Sequence, residues 1–201
     1  MGRLRSSYPD VASGLVPDVP VVARDLSFRF GGLAVDGRTR GNHGYKTFGR
    51  NRSLRLPAFD YASPHAYFVT VGTYQKLPLL SEPRRAEVVF DCLIWCRDRY
   101  GYAVYAYCLM PDHVHLLATP VDGAIGLPGF IGAFKSLSTR SIWKQGHQGV
   151  LWQKHYYDHI VRGEESISSI ADYILDNPVR RGIVSSRDAY HFSGVLDEIQ
   201  E

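Results

Sequence analysis

The stretch that decides the fold is residues 102–120, YAVYAYCLMPDHVHLLATP. Two runs that are typical of strands flank the dipeptide Pro111-Asp112, which is a turn signal, so the stretch predicts a β-hairpin. Successive side chains of a strand point to opposite faces, and His113 and His115 therefore lie on the same face. The second strand of the hairpin thus carries two imidazoles immediately after the turn.

The segments on either side of this hairpin alternate between strand and helix patterns. Residues 65–74 predict a buried strand, and apolar residues at helical spacing after Pro83 predict a helix closed by Gly101. Downstream, residues 130–146 predict an amphipathic helix, residues 154–162 a strand, and a last helix begins near residue 163 and ends at Asn177-Pro178. This order predicts an α+β, ferredoxin-like or RRM-like antiparallel sheet with helices packed on one face.

The composition predicts a soluble protein of one main domain. The chain has 201 residues, of which 45% are hydrophobic, enough for a sizeable core. No run approaches the roughly 18 apolar residues of a membrane span, and the first residues lack the apolar block of a secretory signal, so we expect a cytoplasmic protein with no membrane partner. The three cysteines form no CxxC pair, which favours reduced thiols over disulfides or a zinc ribbon.

The positive charge is concentrated at the start of the chain. Residues 1–56 hold ten basic and four acidic side chains (10 − 4 = +6), whereas the remainder is 13 − 16 = −3. We therefore predict a basic, flexible extension over 1–60, a main domain over 61–185 and a C-terminal tail over 186–201. A basic arm is attracted to phosphate backbones. A solvated tail without a partner, or upstream sequence from a misplaced start codon, explains the same pattern.

Two separate segments offer residues that suit metal-assisted chemistry. The imidazoles of His113 and His115 make half of a metal site, although two ordinary histidines would give the same pattern. In the last predicted helix, Tyr173 and Asn177 are four residues apart and share a face. That face lies at the border of the apolar stripe, where a side chain can present a polar tip to a groove. An ordinary boundary tyrosine and a helix-ending asparagine are the alternative.

Four strings in order carry a resemblance to a known family. They are YCLMPDHVHLLATP, FKSLSTR, LWQKHYYDHIVRGEE and ADYILDNPVRRGIV. Together they resemble the REP-associated tyrosine transposases of the HUH single-tyrosine transposase superfamily, over roughly residues 64–184. The resemblance implies an enzyme of DNA transposition that nicks single-stranded DNA and transfers strands at REP-like hairpins, with a divalent metal.

The resemblance also implies a role for each candidate residue. His113 and His115 would bind the metal, Asn177 would complete its shell, and Tyr173 would be the nucleophile that forms a 5′-phosphotyrosine. We expect Mg²⁺ or Mn²⁺. A mixed set of imidazole and amide ligands suits Mn²⁺ better than Mg²⁺, which prefers oxygen.

Further residues are candidates for DNA contacts or for an alternative nucleophile. Basic side chains in the second half of the chain are candidate phosphate contacts, although each of them taken alone is more typical of a solvated surface charge. They are Lys135, Arg140, Lys144, Lys154, Arg162, Arg180 and Arg181. Tyr105, Tyr107 and Trp152 either stack on unpaired bases or pack in the core. Tyr156 and Tyr157 are alternative nucleophiles, and one of any adjacent pair in a strand must face the core.

Two other functions are compatible with parts of this pattern. The same scaffold could serve as a non-catalytic protein that binds hairpin DNA, but the joint presence of the two histidines, the tyrosine and the asparagine argues against it. A histidine-triad nucleotide hydrolase would need a third histidine at position 117, which is Leu117. The resemblance implies a monomer or a homodimer, because insertion-sequence relatives share active sites across a dimer whereas REP-associated members act as monomers.

Overall fold

The structure, a computed structural model, describes residues 60–121, 123–162 and 166–199. Within these residues the chain forms a five-stranded antiparallel sheet in the order β4-β1-β3-β2-β5. The strands are β1 Tyr67–Gly72, β2 Tyr102–Met110, β3 His113–Pro120, β4 Tyr157–Ile160 and β5 Ser193–Gly194, and the helices are α1 Pro83–Tyr100, α2 Leu127–Lys144, α3 Ile167–Leu175 and α4 Asn177–Arg180. The predicted α+β antiparallel fold is confirmed. Apart from residue 60, the predicted N-terminal extension lies outside the described residues.

The central hairpin forms as the sequence predicts. β2 and β3 pair with Met110 opposite His113 across the Pro111-Asp112 turn, and a register shift between Val104 and Ala106 marks a bulge in β2. A bulge reverses which face the following side chains occupy. Beyond the bulge, Leu109 therefore packs in the buried cluster on one face of the sheet and Met110 in the cluster on the other.

The helices cover both faces of the sheet, which differs from the predicted single face. α1 and α2 pack on one face, where Leu116 of β3 and Phe134 of α2 belong to one buried cluster. α3 covers the opposite face, where Ile174 packs with Leu117 and Cys108. The reason is that β2 is apolar on both faces and Leu117 of β3 adds to the apolar surface beneath α3, so that each face needs a cover. None of the described helices is both long and apolar enough to cross a membrane.

The segment predicted as a C-terminal tail is part of the same sheet over its described residues. β5 pairs with the end of β2, and the buried Tyr190 donates its hydroxyl hydrogen to the Leu109 carbonyl at 2.7 Å. Asp197 forms an ion pair with Arg97 of α1 and accepts a hydrogen bond from the Val104 amide at 2.7 Å. The strand pairing, the buried Tyr190 and this ion pair join residues 186–199 to the main domain.

The three cysteines behave as core residues. Cys92, Cys96 and Cys108 are all buried, and none of them forms a disulfide. Burial raises the pKa of Cys96 and of Cys108 to about 12, because a thiolate is poorly solvated there. The thiols therefore stay protonated and unreactive at neutral pH, in agreement with the predicted reduced state.

Candidate metal centre and nucleophile

The two predicted histidines form a close, buried pair at the start of β3. Their Nε2 atoms are 3.0 Å apart, and the two residues are only 3% and 7% exposed. The turn that leads into β3 is fixed by Thr73, whose amide and hydroxyl both donate to the Asp112 carbonyl at 2.9 Å. The position of His113 and His115 is thus set by the hairpin and by the neighbouring end of β1.

A second residue holds each imidazole through its other ring nitrogen. The Nδ1 of His113 is 2.6 Å from the Asp112 carboxylate, and the Nδ1 of His115 is 2.9 Å from the Thr70 hydroxyl. An ionised carboxylate can only accept, so Nδ1 of His113 carries the hydrogen, and in the neutral form of this ring Nε2 keeps its lone pair. Sequence analysis missed both partners; Thr70 becomes a neighbour of His115 only through the β1–β3 register.

The electrostatic surroundings keep one imidazole neutral and one carboxyl ionised. The pKa of His115 lies well below its ordinary value, chiefly because the ring is buried and also because the charges of His113 and Arg181 oppose protonation. Burial acts to raise the pKa of Asp112, but the hydrogen bond from His113 and the charges of His113, Arg181 and Lys76 outweigh it and hold the pKa below its ordinary value. A neutral imidazole is the form that ligates metals.

The arrangement of the two Nε2 atoms fits a divalent cation. Two metal–nitrogen bonds of about 2.1 Å at about a right angle separate the nitrogens by about 3.0 Å, which is the separation seen between His113 and His115. No group of three His, Cys, Asp or Glu side chains within the described ranges could hold a metal. Any third protein ligand would therefore be of another type, and the amide of the predicted ligand Asn177 is of such a type.

The predicted nucleophile lies beside the histidine pair. The ring centroids of Tyr173 and His115 are 6.2 Å apart. Phe68 contacts the Tyr173 ring edge-on at 6.0 Å, and the guanidinium carbon of Arg180 is 4.5 Å from its centroid. Residues separated by about sixty positions in the chain therefore converge, because α3 packs on the sheet face that carries the imidazoles. The ring of Tyr173 is held between aromatic and cationic neighbours while the residue remains partly exposed.

Asn177 lies one helical turn beyond Tyr173, as predicted. α3 and α4 are separated only by Asp176, whose backbone stays in the helical region, so the two residues remain on the same side. Asn177 is 5% exposed. The charge of Arg181 helps to lower the pKa of His115. The segment that follows Asn177 is therefore close enough to the histidine pair to affect its protonation.

The two alternative nucleophiles lie on opposite faces of β4. Tyr156 is buried with the core residues beneath α1 and α2. Tyr157 lies on the face of the histidine pair, where its ring centroid is 6.4 Å from that of Phe68 and its backbone is in register with Thr70. Only Tyr157 therefore shares a surface with the predicted nucleophile Tyr173.

The seven predicted DNA contacts fall into three groups. Two lie at the histidine site, and they are Arg180 and Arg181. Three line one groove along α2, and they are Lys135, Arg140 and Lys154. The remaining two, Lys144 and Arg162, are exposed elsewhere. The structure thus brings five of the seven into two basic surfaces.

Of the aromatic residues that were expected either to stack on bases or to pack in the core, most are core residues. Tyr107 and Trp152 are each 4% exposed, and Tyr105 is half-buried under the α3 side of the sheet. The aromatic side chain that sequence analysis missed is Trp143, which is 51% exposed and lines the same groove as the lysines and arginine. Trp143 lies in a predicted amphipathic helix but off its apolar stripe, and this position could have indicated that its side chain is exposed.

Comparison with known proteins decides the family. Residues 65–177 match the family model described as "Transposase IS200 like". The chain belongs to the IS200-like transposase family. The matched region begins just before β1 and ends at Asn177, so it contains both histidines and Tyr173.

Individual relatives carry the narrower name that the sequence motifs predicted. A Haemophilus influenzae protein named "Putative REP-associated tyrosine transposase" is 28% identical over 97 residues, which cover 43% of this chain and 55% of that protein. The REP-associated tyrosine transposase of Escherichia coli K12 is 26% identical over 97 residues, covering 48% and 56%. The chain thus spans about half the length of these curated relatives. The predicted resemblance to this group is confirmed.

A solved structure shares the fold. It is titled as a REP-associated tyrosine transposase bound to a REP hairpin, and it superposes with a TM-score of 0.59 at 20% identity over 71% of this chain and 82% of that one. The similarity at this level of identity supports the fold, and the hairpin is a ligand of that protein.

Proposed function

We propose that this transposase nicks single-stranded DNA beside a REP-like hairpin and transfers the strand, with Tyr173 as nucleophile and a divalent cation held by His113, His115 and Asn177. The observation that carries the proposal is the convergence of two segments that are distant in the chain, β3 and α3. Tyr173 lies 6.2 Å, ring to ring, from a histidine pair whose Nε2 atoms are 3.0 Å apart.

The reaction needs a nucleophile and a means of neutralising phosphate charge. A Mg²⁺ or Mn²⁺ ion held by His113, His115 and Asn177 would supply a Lewis acid for the anionic phosphate oxygens. The Tyr173 hydroxyl oxygen forms a bond to phosphorus while the bond from phosphorus to the 3′ oxygen breaks. The phenol loses its proton during attack, and the departing 3′ oxygen gains one, so that a 5′-phosphotyrosine and a free 3′-hydroxyl result.

The side chains around Tyr173 support both directions of this exchange. Attack by a 3′-hydroxyl on the phosphotyrosine rejoins the strands and expels a phenolate. The guanidinium of Arg180 over the Tyr173 ring attracts a phenolate more strongly than a phenol, because the ring becomes richer in electrons. Phe68 packs edge-on against the same ring and limits its rotation. The geometry therefore favours an oriented nucleophile that is also a competent leaving group.

The choice of a hairpin DNA substrate rests on charge and on the relatives. Lys76, Arg180 and Arg181 lie around the histidine pair and offer cations for phosphates. The names of the relatives associate their group with REP sequences, and the solved structure of similar fold holds a REP hairpin. Because one chain brings Tyr173 to its own histidines, the arrangement supports activity as a monomer rather than as a dimer with shared sites.

A non-catalytic DNA-binding protein is the less favoured function. Binding alone requires basic and aromatic surfaces but no juxtaposition of a tyrosine with two imidazoles. In this chain the imidazoles are buried and held by Asp112 and Thr70. Such positioning has a use in metal binding and none in the recognition of a phosphate backbone.

The test is the formation of a covalent adduct. A labelled hairpin oligonucleotide with a single-stranded flank is incubated with the full chain and Mn²⁺, and SDS-resistant protein–DNA adducts are resolved by gel electrophoresis. We expect an adduct for the wild type, none for Tyr173→Phe, and none after chelation. Tyr173→Phe should bind the hairpin as the wild type does. An adduct of undiminished yield with Tyr173→Phe refutes the assignment of the nucleophile, and undiminished yield with His113→Ala and His115→Ala together refutes that of the metal site.

A further inference from the structure

A basic groove runs along α2 outside the histidine site. It has a volume of about 700 Å³ and is bordered by the outer side of α2 and by residues 150–154 and Tyr156. Among the residues that the structure describes, Lys135, Arg140 and Lys154 line it, and no acidic residue does. A concave surface with cations and no carboxylates is complementary to phosphates.

The groove also carries an ordered aromatic surface. Trp143 is 51% exposed, and its indole nitrogen donates a hydrogen bond to the Gly149 carbonyl at 2.8 Å. This bond holds the ring against the loop that follows α2, so little conformational entropy is lost when a flat partner packs on it. Exposed apolar area next to it comes from Val150, which is 56% exposed. Bases of single-stranded nucleic acid provide such flat partners.

Residues that border the groove pair with the end of the sheet that bears the histidines. The backbone of Gln153 donates to the Gly72 carbonyl at 2.9 Å, and the backbone of Tyr74 donates to the Leu151 carbonyl at 2.8 Å. Gly72 is directly opposite His113 in the β1–β3 ladder. A strand that leaves the histidine site can therefore reach the groove around this end of the sheet.

We propose that the groove binds single-stranded DNA, with phosphates against Arg140 and Lys154 and a base stacked on Trp143. The proposal takes from the proposed function only the choice of DNA as the nucleic acid. A single strand is favoured over a hairpin stem because the faces of paired bases are already stacked, whereas unpaired bases can pack on an indole. Lys135 has a different role, because its ammonium group donates to the Gln153 and Lys154 carbonyls and so supports the wall of the groove.

The first test measures stacking. The affinity for a fluorescently labelled dT₁₂ oligonucleotide is measured by fluorescence anisotropy, and base stacking by tryptophan quenching with unlabelled dT₁₂. Both are measured in EDTA, with the full chain carrying Tyr173→Phe so that no adduct forms. Trp143→Ala should weaken binding by about five-fold or more, and Trp143→Phe, which keeps an aromatic face, by less. Trp95→Phe should leave both affinity and quenching unchanged. Equal affinity of the Trp143→Ala and unsubstituted proteins, or quenching that survives in Trp143→Phe, overturns the proposal.

The second test measures phosphate contacts through salt dependence. Each phosphate contact to a single strand contributes about 0.7 to the slope of log K against log salt concentration. The double variant Arg140→Gln with Lys154→Gln should therefore lower the slope by about 1.4, while the charge-matched double variant Arg84→Gln with Arg99→Gln on α1 should not. Equal slopes for the two double variants, or an effect seen only with a flankless hairpin, overturn the proposal.

The outcomes separate this proposal from the proposed function. If the wild type forms the adduct while the groove variants bind dT₁₂ normally, the groove assignment fails and the nicking activity stands. If the wild type forms no adduct while Trp143→Ala and Arg140→Gln with Lys154→Gln lose binding, the nicking activity fails and the groove stands as a DNA-binding surface.

Discussion

Replacing Thr70 by valine should weaken metal binding without disturbing the fold. The Thr70 hydroxyl is 2.9 Å from Nδ1 of His115, which is 7% exposed. When Nε2 of His115 ligates a cation, Nδ1 must carry the hydrogen, and that hydrogen then needs an acceptor. Threonine provides one, and valine, which has the same shape, does not.

The size of the effect follows from the cost of an unpaired donor in a buried place. Without metal, His115 in the variant can place its hydrogen on Nε2 and donate it to His113, whose Nε2 is 3.0 Å away. With metal that option is lost, and a buried N–H stays unsatisfied, which costs about 1–3 kcal/mol. Because about 1.4 kcal/mol corresponds to a tenfold change, we expect Mn²⁺ affinity to fall by about ten-fold or more, within the range of about 10- to 100-fold for lost outer-shell partners.

The assay is a titration of the protein with Mn²⁺, followed by the electron paramagnetic resonance signal of free Mn²⁺. Thr119→Val is the matched control, because it removes the same hydroxyl from a half-buried position of β3 away from the histidines. Thr70→Ser should restore affinity, since it keeps the hydroxyl. If Thr70→Val binds Mn²⁺ as tightly as Thr119→Val, the hydrogen bond to His115 does not position a metal ligand.

Three further outcomes test other parts of the structure. Tyr157→Phe should leave the covalent adduct intact, because Tyr173 contacts the histidine pair; loss of the adduct on gels would move the nucleophile to Tyr157. Asp197→Asn should lower the free energy of unfolding by about 1–2 kcal/mol at neutral pH, since the ion pair with Arg97 is partly buried. The hydrogen bond from Arg97 lowers the pKa of Asp197; burial opposes this effect, and the Val104 amide adds to it. The stability that the ion pair contributes is therefore complete above the unfolded pKa of about 3.9 and is lost as pH falls through the lower folded pKa. A difference in unfolding free energy between wild type and Asp197→Asn that is as large at pH about 2 as at neutral pH contradicts this reasoning. Ile174→Ala should lower the free energy of unfolding in urea by about 2–5 kcal/mol, because this side chain of α3 is fully buried. A change near zero means that α3 does not pack on the sheet as described.

Local signals predicted the hairpin and the first helix closely. The predicted strand YAVYAYCLM coincides with β2, because aromatic and β-branched residues end at the Pro111-Asp112 turn. The predicted end of α1 at Gly101 is confirmed by a left-handed backbone with φ of 70°, which glycine adopts without strain. Features encoded within a few residues of one another could therefore be derived from the sequence.

Features that depend on distant pairing could not be derived in this way. The apolar stripe of α3 shows that the helix buries one side, but not which face of the sheet it covers, because β2 is apolar on both faces. The pairing of Thr70 with His115 depends on the β1–β3 register, which no local pattern specifies. The final strand β5 has only two residues and lacks the length of a recognisable strand pattern.

The residues of the candidate site could be predicted from the sequence, but the neighbouring side chains that contact them could not. The motif residues His113, His115 and Tyr173 were identified from spacing and resemblance, and the structure places them on one face. Arg180 was predicted as a phosphate contact, yet its guanidinium lies over the nucleophile. A cation about two helical turns beyond a tyrosine has no distinctive spacing in a basic segment, so only the packing of α3 and α4 reveals this contact.

The edge strand β4 links the two proposed DNA surfaces. Its backbone pairs only with β1 among the described strands, and an exposed edge of this kind invites pairing with another chain unless it is short or charged. β4 has four residues, with the exposed cations Lys154 before it and Arg162 after it. Adjacent tyrosines of this segment face opposite ways, Tyr156 towards the groove and Tyr157 towards the histidine site. These two cations disfavour pairing of the β4 edge with another protein chain, and they also attract a phosphate backbone. The same charges therefore favour the passage of a DNA strand between the groove and the histidine site.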